Sequence, residues 1–150
     1  MYFVDRKKIN ETLTYMTSII QLIDDSHDFQ SNQIEKLALE RIALNVIESI
    51  IDVGNSMIDG FIMRDPGSYE DIVDILTDEK VISTEMDAPL KEVIGLRKML
   101  VREFMSVDHH QVFETIQRNR DALSQFPEKI DHYLTHELGP VSAFLPEENV

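Results

Sequence analysis

The chain is 150 residues long, lacks cysteine, and carries 28 acidic against 14 basic side chains, a formal charge of −14. One domain with a real core fits that length, and the missing cysteine removes disulfides, thiolate metal sites and cysteine nucleophiles together. The acidic field repels nucleic acid at long range, yet screening confines each charge to about 8–10 Å and leaves room for a local basic patch.

From Asp5 to about Asp24, Ile9, Leu13, Met16, Ile20 and Ile23 recur at helical spacing, and SHDFQSN then reads as a loop. A long second helix is expected from about Gln33 to Asp59 or a little beyond. Leu37, Ala38, Ile42, Val46, Ile50, Val53, Met57 and Ile58 form its main face. Leu39, Ala43, Ile47 and Ile51 widen that arc, which places this helix at the centre. Gly54 interrupts it and marks a close approach of a neighbouring helix. Along another side Arg41, Asn45, Glu48, Asp52, Asn55 and Asp59 line up, either as a solvated face or as an anchor for a basic group.

Gly60, Pro66 and Gly67 break the pattern. Ser68 is then a good N-cap, with Asp71 in a variant of the capping box. The short helix it opens runs to about Lys80 and buries Tyr69, Ile72, Val73 and Leu76. Asp87 to Asp108, DAPLKEVIGLRKMLVREFMSVD, reads as one amphipathic helix. Asp87 or Ala88 sits at its N-cap and Pro89 in its first turn. Leu90, Val93, Ile94, Arg97, Leu100, Val101 and Phe104 share one face. The last helix starts near Asp108 and carries Val112, Phe113, Ile116, Leu123, Phe126 and Ile130. Pro127 is expected to break or kink it, with a further piece from Glu128 to about Leu138. Gly139-Pro140 ends that piece. Phe144 and Leu145 are the apolar residues of the tail, and PEENV is expected to fray.

No strand, repeat or low-complexity tract is present, so an all-α, up-down bundle of four to five helices is expected. It forms a single domain with its core between about residues 5 and 138 and a tail over 139–150. No stretch reaches the roughly 20 apolar residues of a membrane span. The opening MYFVDRKKIN has no apolar signal region, so a cytoplasmic protein is expected. His27, His132 and His136 are scattered. The last two stand one helical turn apart, but a third ligand of suitable spacing is missing, so no metal and no cofactor are expected. Glycine-rich phosphate loops and Ser–His–Asp orders are absent as well.

The odd member of the Asp87–Asp108 stripe is Arg97. A guanidinium there needs a carboxylate, a phosphate or an interface to satisfy its donors. Glu48 or Asp52 can serve as the carboxylate. Lys98 and Arg102 add two further cations, a small positive island in an acidic chain.

GLRKMLVREF, preceded by PGSYEDIVDILTDEKVI and followed by VD, resembles the HepT-like branch of the HEPN superfamily, close to its YutE-type members, over roughly residues 30 to 125. The motif of that family is R-N-x-L-V-H-x-Y. Arg97 matches its Arg, and Leu100 and Val101 match its apolar pair. Lys98 stands in the Asn position, Arg102 where the His belongs and Phe104 where the Tyr belongs. The resemblance implies a homodimer with Leu100, Val101 and Phe104 at the interface. It also implies a groove in which Arg97, Lys98 and Arg102 hold RNA or another phosphate. By resemblance Arg97 and Arg102 are the catalytic positions of a metal-independent RNase, the toxin of a nucleotidyltransferase–HEPN toxin–antitoxin pair.

In such a site the His takes the 2′-hydroxyl proton while the Arg stabilises charge on phosphorus. Arg102 stays protonated at every ordinary pH and cannot take that role. Weakened or lost cleavage is therefore expected. The alternative is a catalytically inactive HEPN dimer that binds a protein or a nucleotide. His109 and His110 follow an Asp N-cap and read as surface histidines, or as a base lent to a neighbouring subunit. The motif Tyr is the AMP acceptor in this family, and Phe104, with no hydroxyl, closes that route at this position.

Overall fold

The computed structural model describes residues 4–25 and 27–138, and every regular element among them is an α-helix. Local caps set most of the starts. Asp5 caps α1 (Arg6–Asp24) by accepting from the Lys8 amide, and Asn32 caps α2 (Gln33–Gly60) through the Glu35 amide, both at 3.0 Å. Ser68 caps α3 (Tyr69–Asp78) through the Asp71 amide at 3.1 Å. The Asp71 carboxylate reaches back to the Gly67 amide at 2.8 Å, one residue before the usual target of a capping box, and Arg64 holds it from outside.

The Asp87–Asp108 stretch is two helices rather than one. α4 (Thr84–Ile94) begins after Ser83, earlier than expected, because Met86 is drawn fully into the core and makes a first turn with its neighbours. Pro89 consequently lies inside the helix. At Gly95 and Leu96 the spiral tightens, the Leu96 amide taking the Val93 carbonyl, before α5 (Arg97–Arg102) resumes. The last expected helix is also split, into α6 (His109–Arg118) and α7 (Arg120–Leu138), and the break falls at Asn119, not at Pro127. Asn119 is buried. Its side-chain amide donates to the Thr115 carbonyl and to Glu92 of α4, both at 2.8 Å, so at the break the side chain shares the Thr115 carbonyl with its own backbone amide. Pro127 runs inside α7, where it has no amide to donate to the Leu123 carbonyl one turn back. Against the four to five helices expected, the described residues carry seven helical segments.

α2 is the centre, as its wide apolar arc requires. It packs on α1, α3, α5 and α6, while α7 closes the bundle against α1 and α4. Leu39, Ala43, Val46, Ile47, Ile50, Val53 and Met57 of α2 are all buried. Gly54 is the point of closest approach: a Cβ there would lie 2.4 Å from Ile72 Cγ2 of α3. α2 and α3 end alike, in Schellman turns. Met63 and Val81 donate to the Ile58 and Leu76 carbonyls, both at 2.9 Å, past Ile62 and Lys80 in the left-handed region at φ 55° and 61°. Gly60, expected to break α2, is its last helical residue, and the β-branched Ile62 makes the turn at a cost of about 1–2 kcal/mol.

Burial departs from the expected faces at several positions. Leu37 is 51% exposed, because the antiparallel run from the Tyr15–Asn45 contact brings the end of α1 level with the Lys36 turn. Ile34 and Leu37 therefore lie where α2 has few neighbours. Tyr69 is also partly exposed, at the first turn of α3 where the helix overhangs the core. Phe29 of the first loop is buried, its ring 6.4 Å from that of Phe113. Arg6 is only 6% exposed, and its Nε and Nη1 have no hydrogen-bond partner among the described residues. No helix among the described residues is long and apolar enough to cross a membrane. The expectations for Gly139-Pro140, Phe144, Leu145 and PEENV lie outside the described residues.

Candidate functional site

Arg97 opens α5, and three elements meet at its side chain. Its Nε donates to Glu48 Oε2 of α2 at 2.7 Å. Its Cζ lies 4.4 Å from the centroid of the Tyr69 ring of α3. Of the two carboxylates the sequence offered, Glu48 is the partner. Asp52 is exposed and, with Glu11, Tyr15, Asn45 and Glu48, lines an adjoining groove of about 350 Å³ between α1 and α2. The Glu48 hydrogen bond raises the guanidinium pKa further above its ordinary value, and an arginine is charged at every ordinary pH in any case. The side chain is 28% exposed, and its Nη atoms make no hydrogen bond to the described residues. A planar fork of donors is left facing outward.

The polar stripe of α2 thus divides. Asn45 donates to Tyr15 Oη at 2.7 Å, Glu48 holds Arg97, and Arg41 and Asp52 are solvated. Lys98 and Arg102 stand one turn apart on the exposed side of α5. Lys98 approaches Glu103 at 4.0 Å, and Arg102 has no ion pair among the described residues. Helical geometry sets them about 100° and 140° round from Arg97, so the three cations do not converge within one protomer.

The apolar positions of the motif also divide. Leu100 points into the core of its own protomer, at 6% exposure. Val101 is exposed, as are Phe104 at 62% and Met105 at 90% in the turns after α5. The anchors Glu48–Arg97 and Glu40–His109 run this segment antiparallel along α2, toward the exposed Ile34 and Leu37. One face of the molecule therefore carries an outward guanidinium at one end and bare apolar side chains at the other.

His109 is not a surface histidine. It opens α6, and its Nε2 lies 2.6 Å from Glu40 Oε2 of α2, with both side chains 16% exposed. His110 is exposed. The partner stands 69 positions upstream, and nothing local in the sequence points to it. The Tyr69 contact was legible in part: its register with Ile72, Val73 and Leu76 puts it on the inner side of α3, but at the first turn, where a ring overhangs the core. His132 and His136 stack with ring centroids 5.9 Å apart, and among the described residues no three His, Asp or Glu side chains stand close enough to hold a metal.

A family model described as "Ribonuclease HepT-like" matches residues 9–130. The chain belongs to the ribonuclease HepT-like family. The Bacillus subtilis (strain 168) protein named "Putative RNase YutE" is 51% identical over 144 residues, which cover 96% of this chain and 99% of that protein. The solved structure of YutE, described as a cytosolic protein of unknown function, matches with a TM-score of 0.92 over 96% of this chain and 100% of that one. A tri-AMPylated Shewanella oneidensis HEPN toxin in complex with an MNT antitoxin matches with a TM-score of 0.70 and 20% identity, over 83% of this chain and 95% of that one. At that identity the likeness is one of fold. At the positions where the sequence resembles that family's motif, the chain has Arg97, Arg102 and Phe104.

Proposed function

We propose that this HepT-like chain is a cytoplasmic homodimer whose Arg97 face holds a phosphate-bearing ligand, RNA, and cleaves it weakly and without metal. The observation that carries the reading is the Arg97 fork, permanently charged and facing outward on the face that also bears the bare side chains of Val101, Phe104 and Met105. A two-fold axis through that apolar patch covers it and brings the Lys98 and Arg102 cations of one protomer toward the other. Three cations that diverge within a protomer then serve one groove across the pair. Family membership supports RNA as the ligand, and the cytosolic description of YutE supports the location.

Cleavage is weak in this reading because Arg102 cannot accept a proton, and general acid–base assistance is worth about 10²–10⁴ in rate. The Shewanella toxin is bound by an antitoxin, which supports a nucleotidyltransferase antitoxin as the protein partner here. AMP transfer to position 104 is closed, since Phe104 has no hydroxyl. RNA degradation in EDTA tests the reading. The wild type should cleave slowly or not at all, Arg102→His should cleave faster, and adding Arg97→Ala should abolish the gain. Fast wild-type cleavage that survives Arg97→Ala would overturn it. A second reading, a binding module with no catalysis, is favoured by Arg102 alone, and no detectable cleavage by Arg102→His would select it.

A further inference from the structure

We infer that Tyr69 and Glu48 form a positioning clamp that fixes the orientation of the Arg97 fork, and that this clamp, not the charge alone, sets the affinity for phosphate. The inference rests on the reading of Arg97 as the phosphate-binding residue. Three observations support it. The guanidinium is held on its Nε edge by Glu48 at 2.7 Å and on its face by the Tyr69 ring at 4.4 Å. These are the two contacts that leave the paired Nη donors open, and the two groups come from different helices, α2 and α3, neither of which carries the motif. Both contacts lie at a partly exposed site, where a free arginine side chain would sample many rotamers and lose that freedom on binding an anion. A pre-held fork has given up that freedom already.

The elements that carry the clamp are packed and capped. α3 is pinned to α2 where Ile72 meets Gly54, and its first turn is fixed by Ser68 and by the Arg64–Asp71–Gly67 cluster. Tyr69 follows Ser68 directly, so the ring is presented from a capped turn. Glu48 lies within the continuous α2 rod. Neither group is needed to bury apolar surface: Tyr69 overhangs the core, and the Glu48 side chain is 40% exposed.

Glu48 gives the test its sign. A carboxylate beside a phosphate site repels the ligand, so on charge alone its removal must tighten binding. As a positioning residue it must do the opposite when its acceptor is removed. Binding of a short fluorescein-labelled single-stranded RNA, followed by anisotropy at fixed salt, separates the two. Glu48→Gln keeps an acceptor for Nε and should bind as well as the wild type or better. Glu48→Ala should bind more weakly in spite of losing the negative charge. Tyr69→Phe should match the wild type, and Tyr69→Leu should lose about two- to five-fold, the factor carried by a partly exposed cation–π contact.

The Arg97 Nε–H resonance in ¹⁵N spectra gives a second readout: it should be sharp and slow to exchange in the wild type and Tyr69→Phe, and averaged in Glu48→Ala. Tighter binding by Glu48→Ala, or unchanged binding by Tyr69→Leu, overturns the clamp. Unchanged binding by Arg97→Ala overturns instead the assignment of the site itself, so the two failures are distinguishable.

Discussion

The two sides of α2 differ in what the rest of the chain asks of them. The inner side, Leu39, Ala43, Val46, Ile47, Ile50, Val53 and Met57, is apolar throughout and is covered by α1, α3 and α6. The outer side changes character along its length, from Ile34 and Leu37 through Arg41 and Asn45 to Glu48 and Asp52. The inner side is what folding alone requires. Bare apolar side chains and a carboxylate clamping an outward arginine gain the protomer little, so the outer side is where function is to be sought.

Substitutions that respect this division should split by size. Ile50→Ala, on the inner side and fully buried, should lose about 2–5 kcal/mol in denaturant unfolding, as large-to-small core changes do. A loss below about 1 kcal/mol would mean that the α2 core is loosely packed. Gly54→Ala is subtler. Alanine favours a helix by about 1 kcal/mol, but its methyl would lie 2.4 Å from the Ile72 Cγ2, a stiff branched group that cannot swing aside. Overpacking should win, with a net loss of about 1 kcal/mol and a melting temperature lower by about 2–4 °C. A gain would show that α3 yields at this contact. Asp52→Ser on the outer side should stay within about 0.5 kcal/mol of the wild type.

The smallest effect is a pH dependence. The Arg64 hydrogen bond, helped by the Gly67 amide, lowers the Asp71 pKa from 3.8 to about 2. A depressed carboxylate stabilises the fold above its ordinary pKa and loses that contribution as pH falls from about 3.8 toward 2. The Asp71–Arg64 pair lies at the surface, where solvent and salt screen it, so the change should be slight. Acid unfolding of Asp71→Asn should lack that part of the slope, and an identical acid profile would remove the pair from the account.

The difference between the two sides of α2 also explains what was legible in the sequence. Helical periodicity and caps are local, so α1, α2 and the Ser68 start of α3 could be read directly. The splits at Gly95–Leu96 and Asn119 could not. The first depends on a single tightened turn, and the second falls where Asn119 reaches Glu92 in another helix. At the candidate site Glu48 was readable as one of two carboxylates in register on α2, because the stripe is periodic. Its choice over Asp52, the Tyr69 face and the Glu40–His109 bond are tertiary contacts between residues far apart in the chain, and no spacing rule reaches them.

Whether two copies meet on the outer side is the most direct question. Light scattering on the wild type and on a Leu37→Glu, Phe104→Glu double variant answers it, with circular dichroism to confirm the fold. Both side chains are exposed in the protomer, so its helicity should not change. The account predicts two chains per particle for the wild type and one for the variant. A monomeric wild type at high micromolar concentration, or a variant that remains dimeric, would contradict it.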